Sequence, residues 1–211
     1  MARFFTLLLL LGCWLAPRLA SAQGVTPQAI TTDDGATIVF NTMDSFFVVD
    51  VPGDEVKPAP GAKGYFQADK RLVRLFNTPD KELNKTAGAR VLMPREILQM
   101  AQKRDLDEEQ FTLQRPVQNP KQEYLTTPKG RLVLHWWFDL PAGASGGATQ
   151  RHYMSTICNR EVLTLCIPLL PGDTPEALQQ YMLGIMASVR ESDDPINVKE
   201  YAKELRGTES K

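Results

Sequence analysis

The chain is short of the residues that most often carry chemistry. Its 211 residues include two histidines, His135 and His152, and three cysteines, Cys13, Cys158 and Cys166. A metal centre needs three or four converging ligands. No CxxC, HxH or HExxH spacing supplies them, so neither a metal nor another cofactor is expected. Charge of one sign is also missing. Lys and Arg number 24 against 25 Asp and Glu, with no basic run, which argues against nucleic acid or an anionic membrane surface as partner. Beyond the first 20 residues no stretch approaches the ~18 consecutive apolar residues of a membrane span.

The apolar run at the start, "FFTLLLLLG" after Arg3, is too short to cross a bilayer and ends near Ala20-Ser21-Ala22. A positive start, a short apolar run and small residues before a cut are the parts of a secretory leader. Cleavage after Ala22 is expected, leaving 189 residues and, with Arg3 and Arg18 gone, a formal charge of −3. A rival reading is that Leu10–Cys13 acts as a lipobox and Cys13 carries a lipid anchor. In either case the mature chain is expected outside the cytoplasm, periplasmic or secreted.

Patterning divides the rest into an extended N-terminal segment (23–35), one domain (36–206) and a fraying tail (207–211). β-Branched and aromatic runs at 36–41 and 45–52 predict a hairpin, and 70–79 a further strand. Residues 53–64 read as an exposed Pro/Gly-rich loop and 80–90 as polar loop. Pro94 suits a first helical turn, so a helix is expected to about Lys103, then a short strand at 109–116. Residues 122–127 and 131–141 flank the turn at 128–130, and 151–158 pairs with 161–168 across Asn159-Arg160. Thr174, Pro175 and Glu176 open a helix over 175–190 with one apolar stripe, and a weaker helix follows Pro195. The sum is an α+β domain: a mostly antiparallel sheet of about seven or eight strands, covered by helices, with a long C-terminal helix.

The late segment "RHYMSTICNREVLTLCIPLLPGDTPEALQQYMLGIMASVR" resembles the end of the Mog1/PsbP-like families. There, paired strands lead into a long helix closing on a small-Ser-apolar-basic tetrad, here Ala187-Ser188-Val189-Arg190. The resemblance implies a non-enzymatic accessory or binding protein. It carries over no functional residue, because these families share no site signature.

Cys158 and Cys166 lie on two strands around a tight turn, several residues apart along them. At ~3.3 Å per residue this exceeds the ~7 Å Cα separation a disulfide tolerates, so two buried thiols are expected. Ser155 is near His152, but strand alternation puts them on opposite faces, and the chain is read as having no GxSxG nucleophile elbow.

The most telling stretch is "RLVLHWWFDLP". On a strand, Leu132, Leu134, Trp136, Phe138 and Leu140 face one way as core. Arg131, Val133, His135, Trp137 and Asp139 face the other. This second face is either partly covered by a helix or a shallow groove floored by Trp137. Arg131, His135, Trp137 and Asp139 are the candidate ligand-binding residues, and no catalytic residue is expected. The function expected is an exported accessory or binding protein whose partner is an envelope protein or a small ligand. The alternatives are an envelope hydrolase with a site built from distant residues, or a lipid-anchored envelope protein.

Overall fold

A computed structural model describes residues 27–209 except 44, 62, 86–90, 142 and 144. The leader, its cut and Cys13 lie outside the described residues. In chain order the elements are β1 (Gln28–Thr32), β2 (Gly35–Asn41), β3 (Phe46–Pro52), β4 (Val56–Pro58), β5 (Tyr65–Ala68) and β6 (Arg71–Pro79). Helices α1 (Asp80–Asn84) and α2 (Pro94–Leu113) follow, then β7 (Lys121–Thr126), β8 (Leu132–Asp139), β9 (Gln150–Cys158) and β10 (Glu161–Leu169). Helix α3 (Pro175–Ala187), β11 (Arg190–Ser192) and α4 (Val198–Glu209) are the last elements among the described residues.

The strands form two antiparallel sheets. One has the order β1-β2-β3-β11, the other β4-β5-β6-β10-β9-β8-β7. The fold is thus α+β, as the patterning predicts. The inner faces of the sheets meet over Ile38, Phe40, Phe47, Val49, Val73, Leu75, Met154 and Leu165, with α3 closing the same core through Leu178, Met182 and Ile185. Helix α2 covers the outer face of the large sheet through Leu98, Ala101, Trp136, Phe138 and Tyr153. Helix α4 covers the outer face of the small sheet, over Ile30, Val39 and Val48. Strand β2 is therefore buried on both faces, and Ile38, Val39 and Phe40 follow one another where a half-buried strand would alternate apolar with polar. Gly35 opens it at φ +145°, where a Cβ would meet Val51 O at 2.2 Å.

Several local expectations are corrected. Helix α2 does not stop near Lys103 but runs to Leu113, so the strand expected at 109–116 is its last turn and exit. It is held at the front by Glu96, whose carboxylate accepts from the Met93 N–H at 2.8 Å. At the back Gln114 takes a left-handed conformation. The loop expected at 53–64 contains β4, and the one at 80–90 contains α1. Strand β11 was not foreseen. Strand β1 lies in the stretch read as an extended N-terminal segment, and α4 continues to Glu209.

Candidate functional site

Strand β8 places its two faces in different cores. Leu134, Trp136 and Phe138 pack under α2, with Trp136 stacked on Tyr153 at 4.1 Å between centroids. The opposite face carries Val133 into the inter-sheet core and His135 into a polar row at the β7 edge. Register sets that row: Glu123 pairs with His135, Trp137 with His152, and Asp139 with Gln150.

The row is one connected chain of groups at hydrogen-bond distance. Glu123 Oε1 lies 3.0 Å from His135 Nδ1, and His135 Nε2 lies 3.1 Å from His152 Nδ1. His152 Nε2 is 3.0 Å from Gln150 Oε1, and the Gln150 amide donates to Asp139 Oδ1 at 2.8 Å. From α3, Gln179 Nε2 donates to Glu123 Oε1 and lies 3.2 Å from His135 Nδ1. Trp137 lies against both imidazoles, at 4.7 Å from His135 and 5.8 Å from His152 between centroids.

Both histidines are buried, while Glu123 keeps 42% of its side-chain surface exposed. Burial holds the His135 pKa below the usual imidazole value against the opposing pull of Glu123. Burial, with His135 as neighbour, lowers that of His152 to about 4. Near neutral pH both rings are therefore uncharged.

Three of the four candidate residues, His135, Trp137 and Asp139, thus belong to one cluster, together with Glu123, His152, Gln150 and Gln179. The sequence reading missed Glu123, Gln150 and Gln179 because nothing in local spacing announces strand register or the landing of α3. Arg131 is elsewhere. Its guanidinium donates to Ile157 O at 2.7 Å and to Glu191 Oε1 at 2.6 Å, and Glu191 also accepts from the Asn159 N–H at 3.1 Å. It ties the end of β9 to β11.

No nucleophile joins the histidines among the described residues. Ser155 faces α2 and shares a hydrogen bond of 3.0 Å with Thr164, on the opposite side of the sheet from His152. One correction concerns the sequence itself: Gly143-Ala144-Ser145-Gly146-Gly147 does spell GxSxG. It lies in the connection between antiparallel β8 and β9, where a nucleophile elbow requires a strand-to-helix turn. Cys158 and Cys166 are buried free thiols on opposite faces of β10's sheet, and burial pushes both pKa values up to about 12.

A second polar cluster lies under α2. Glu109 accepts from Tyr153 Oη and Arg151, and Arg74 stacks over Phe76 while pairing with Glu108 at 3.0 Å. Asp105 is buried among them with Oδ2 unpartnered, and burial raises its pKa to about 7. Separately, a groove of about 310 Å3 runs between β11 and α4. Its one arginine, Arg190, is already held by Asp50 at 2.5 and 2.9 Å and by Tyr201 at 3.1 Å. The groove contains no histidine. The β7–β9 row, with its part-exposed Trp137 and Glu123, remains the stronger candidate.

No family model matches the chain, and no curated protein matches it. Among solved structures it is similar to the solution structure of cyanobacterial PsbP (CyanoP) from Synechocystis sp. PCC 6803, at 10% identity and a TM-score of 0.43. The match covers 81% of this chain and 96% of that one. That neighbour is of the kind the C-terminal segment resembles, and the likeness is one of outline. Among the described residues, no helix is long and apolar enough to cross a membrane.

Proposed function

We propose that this is an exported, non-catalytic accessory or binding protein that meets its partner on the face around Trp137 and Asp139. The observation that carries this reading is the state of the two histidines. All four ring nitrogens lie within hydrogen-bond distance of protein groups: Glu123 and Gln179, each other, and Gln150. A general base needs a lone pair directed at substrate, and each ring nitrogen here is directed at a protein group instead. What faces solvent is the indole of Trp137, half-buried and stacked on a rigid support, flanked by the exposed Asp139 and part-exposed Glu123. A rigid aromatic with polar neighbours is suited to contact rather than turnover.

Export rests on the leader-like first 22 residues, and mass spectrometry of the mature N-terminus tests it. Gln23 at the start supports cleavage after Ala22; a lipidated Cys13 supports the anchored form. The binding role is tested by mild cross-linking and co-purification of the tagged protein from its host. Capture of a reproducible envelope partner by the wild type, lost in Trp137→Ala, supports it. Turnover in a broad hydrolase screen, abolished by His135→Ala, overturns it.

A further inference from the structure

The hydrogen-bond row has one more link than two neutral imidazoles can fill. Gln150 is oriented by Asp139, a carboxylate that only accepts, so its amide N–H points to Asp139 and its carbonyl to His152. The other end is Glu123, also an acceptor. Between two acceptors stand three links: Glu123 to His135, His135 to His152, and His152 to Gln150. Each link needs a proton, and two neutral rings carry two.

With His152 Nε2–H donating to Gln150, His152 Nδ1 must accept, so His135 donates from Nε2 and its Nδ1 is a bare lone pair. That lone pair faces Glu123 Oε1 at 3.0 Å, a contact that repels unless a proton enters it. Gln179 of α3 reaches both atoms and takes the place of the missing proton.

We propose that Glu123, His135 and His152 form a one-proton site, which fills at His135 Nδ1 as the pH falls and which couples the β7 edge to α3 through Gln179. The charged and titratable groups facing it are Glu123 from β7, His152 from β9, and Asp139 beyond Gln150. Lys121, the register partner of Trp137, is exposed at the end of the row, and α3 contributes only the neutral Gln179. The entering proton turns the repelling contact into an ion pair and releases the Gln179 amide from His135. The burial that lowers both imidazole pKa values sets filling below pH 6.5. The site stands whether or not a partner docks on this face.

The test is ring-nitrogen NMR of the whole mature protein, where two histidines give an uncrowded spectrum. At neutral pH both rings are expected as the neutral Nε2–H tautomer, and acidification adds one proton first at His135 Nδ1. Glu123→Gln places an amide donor opposite that nitrogen and completes the row with two protons. Its proton affinity is expected to fall at least about tenfold, one unit in midpoint. Gln179→Ala removes the competing donor at a half-buried position and is expected to shift the midpoint upward. Opposite shifts in the two variants support the proposal. Unchanged midpoints in both, first protonation at His152, or independent titration of each ring at its ordinary value overturn it.

Discussion

His135 Nε2 lies 3.1 Å from His152 Nδ1, so the chain's two histidines meet on neighbouring strands with their rings 5.3 Å apart between centroids. Two imidazoles this close cannot both be charged at modest cost, because burial and mutual repulsion act in the same direction. Their partners on each side make the pair a fixed structural unit under Trp137.

The two adjacent tryptophans are expected to differ sharply in stability. Trp136 is fully buried between β8 and α2 and stacks on Tyr153. Trp136→Ala should cost about 3–5 kcal/mol. Trp137 is half-buried and mainly supports the imidazoles. Trp137→Ala should cost about 1–2 kcal/mol, and urea unfolding of both variants measures the difference. Equal losses would mean that the Trp137 face is core as well.

Stability should respond to pH through two opposed groups. His135 and His152 have folded pKa values below the unfolded 6.5, so the unfolded chain binds protons first. Their contribution is intact above that value and is lost as the pH falls toward about 4. Asp105 has a folded pKa raised from 3.8 to about 7, so its contribution is intact below 3.8 and lost as the pH rises through about 7. The upper bound on that loss is about 4 kcal/mol. Asp105→Asn should remove it and leave only the histidine slope, with stability rising from pH 4 to 6.5. Thermal unfolding across that range reads both, and an unchanged profile in the variant would exclude Asp105 as its source.

Cys158 and Cys166 should resist thiol reagents in the folded protein. Both are buried, and burial raises each pKa to about 12, leaving almost no thiolate at neutral pH. Labelling with a disulfide reagent should be at least about 100-fold slower than in denaturant, where both react. Rapid labelling of one thiol under native conditions would show that its side of the sheet opens.

Arg131 should matter to the joint between sheets and not to the Trp137 face. Its ion pair with Glu191 is partly exposed, so a double-mutant cycle of Arg131→Ala and Glu191→Ala should give a coupling of about 1 kcal/mol. Partner capture in Arg131→Ala should match the wild type, whereas Trp137→Ala loses it. Loss of capture in both would return Arg131 to the binding face.

The α+β class, the strands around Gly35–Pro52, Arg71–Pro79 and Lys121–Leu169, and α3 with its Thr174 cap are legible in the unfolded sequence. In these places local chemistry repeats: β-branched alternation, turn residues, a helical apolar stripe with a capping hydroxyl. The sequence also divided β8 between a leucine–tryptophan core face and a polar face, because alternation is a property of the strand alone. It misjudged α2 because the helix buries Asp105 and Glu109 at positions where a stripe of apolar residues would be the signal. Glu109 is placed by Tyr153 and Arg151 on the distant strand β9, which no local window contains. It takes the packed fold to bring His135 to His152, to close the row with Glu123 from β7 and Gln179 from α3, and to send Arg131 away to Glu191. Register and helix placement are set by the summed burial of two cores, so the polar row they bring together has no signature in the chain before it folds.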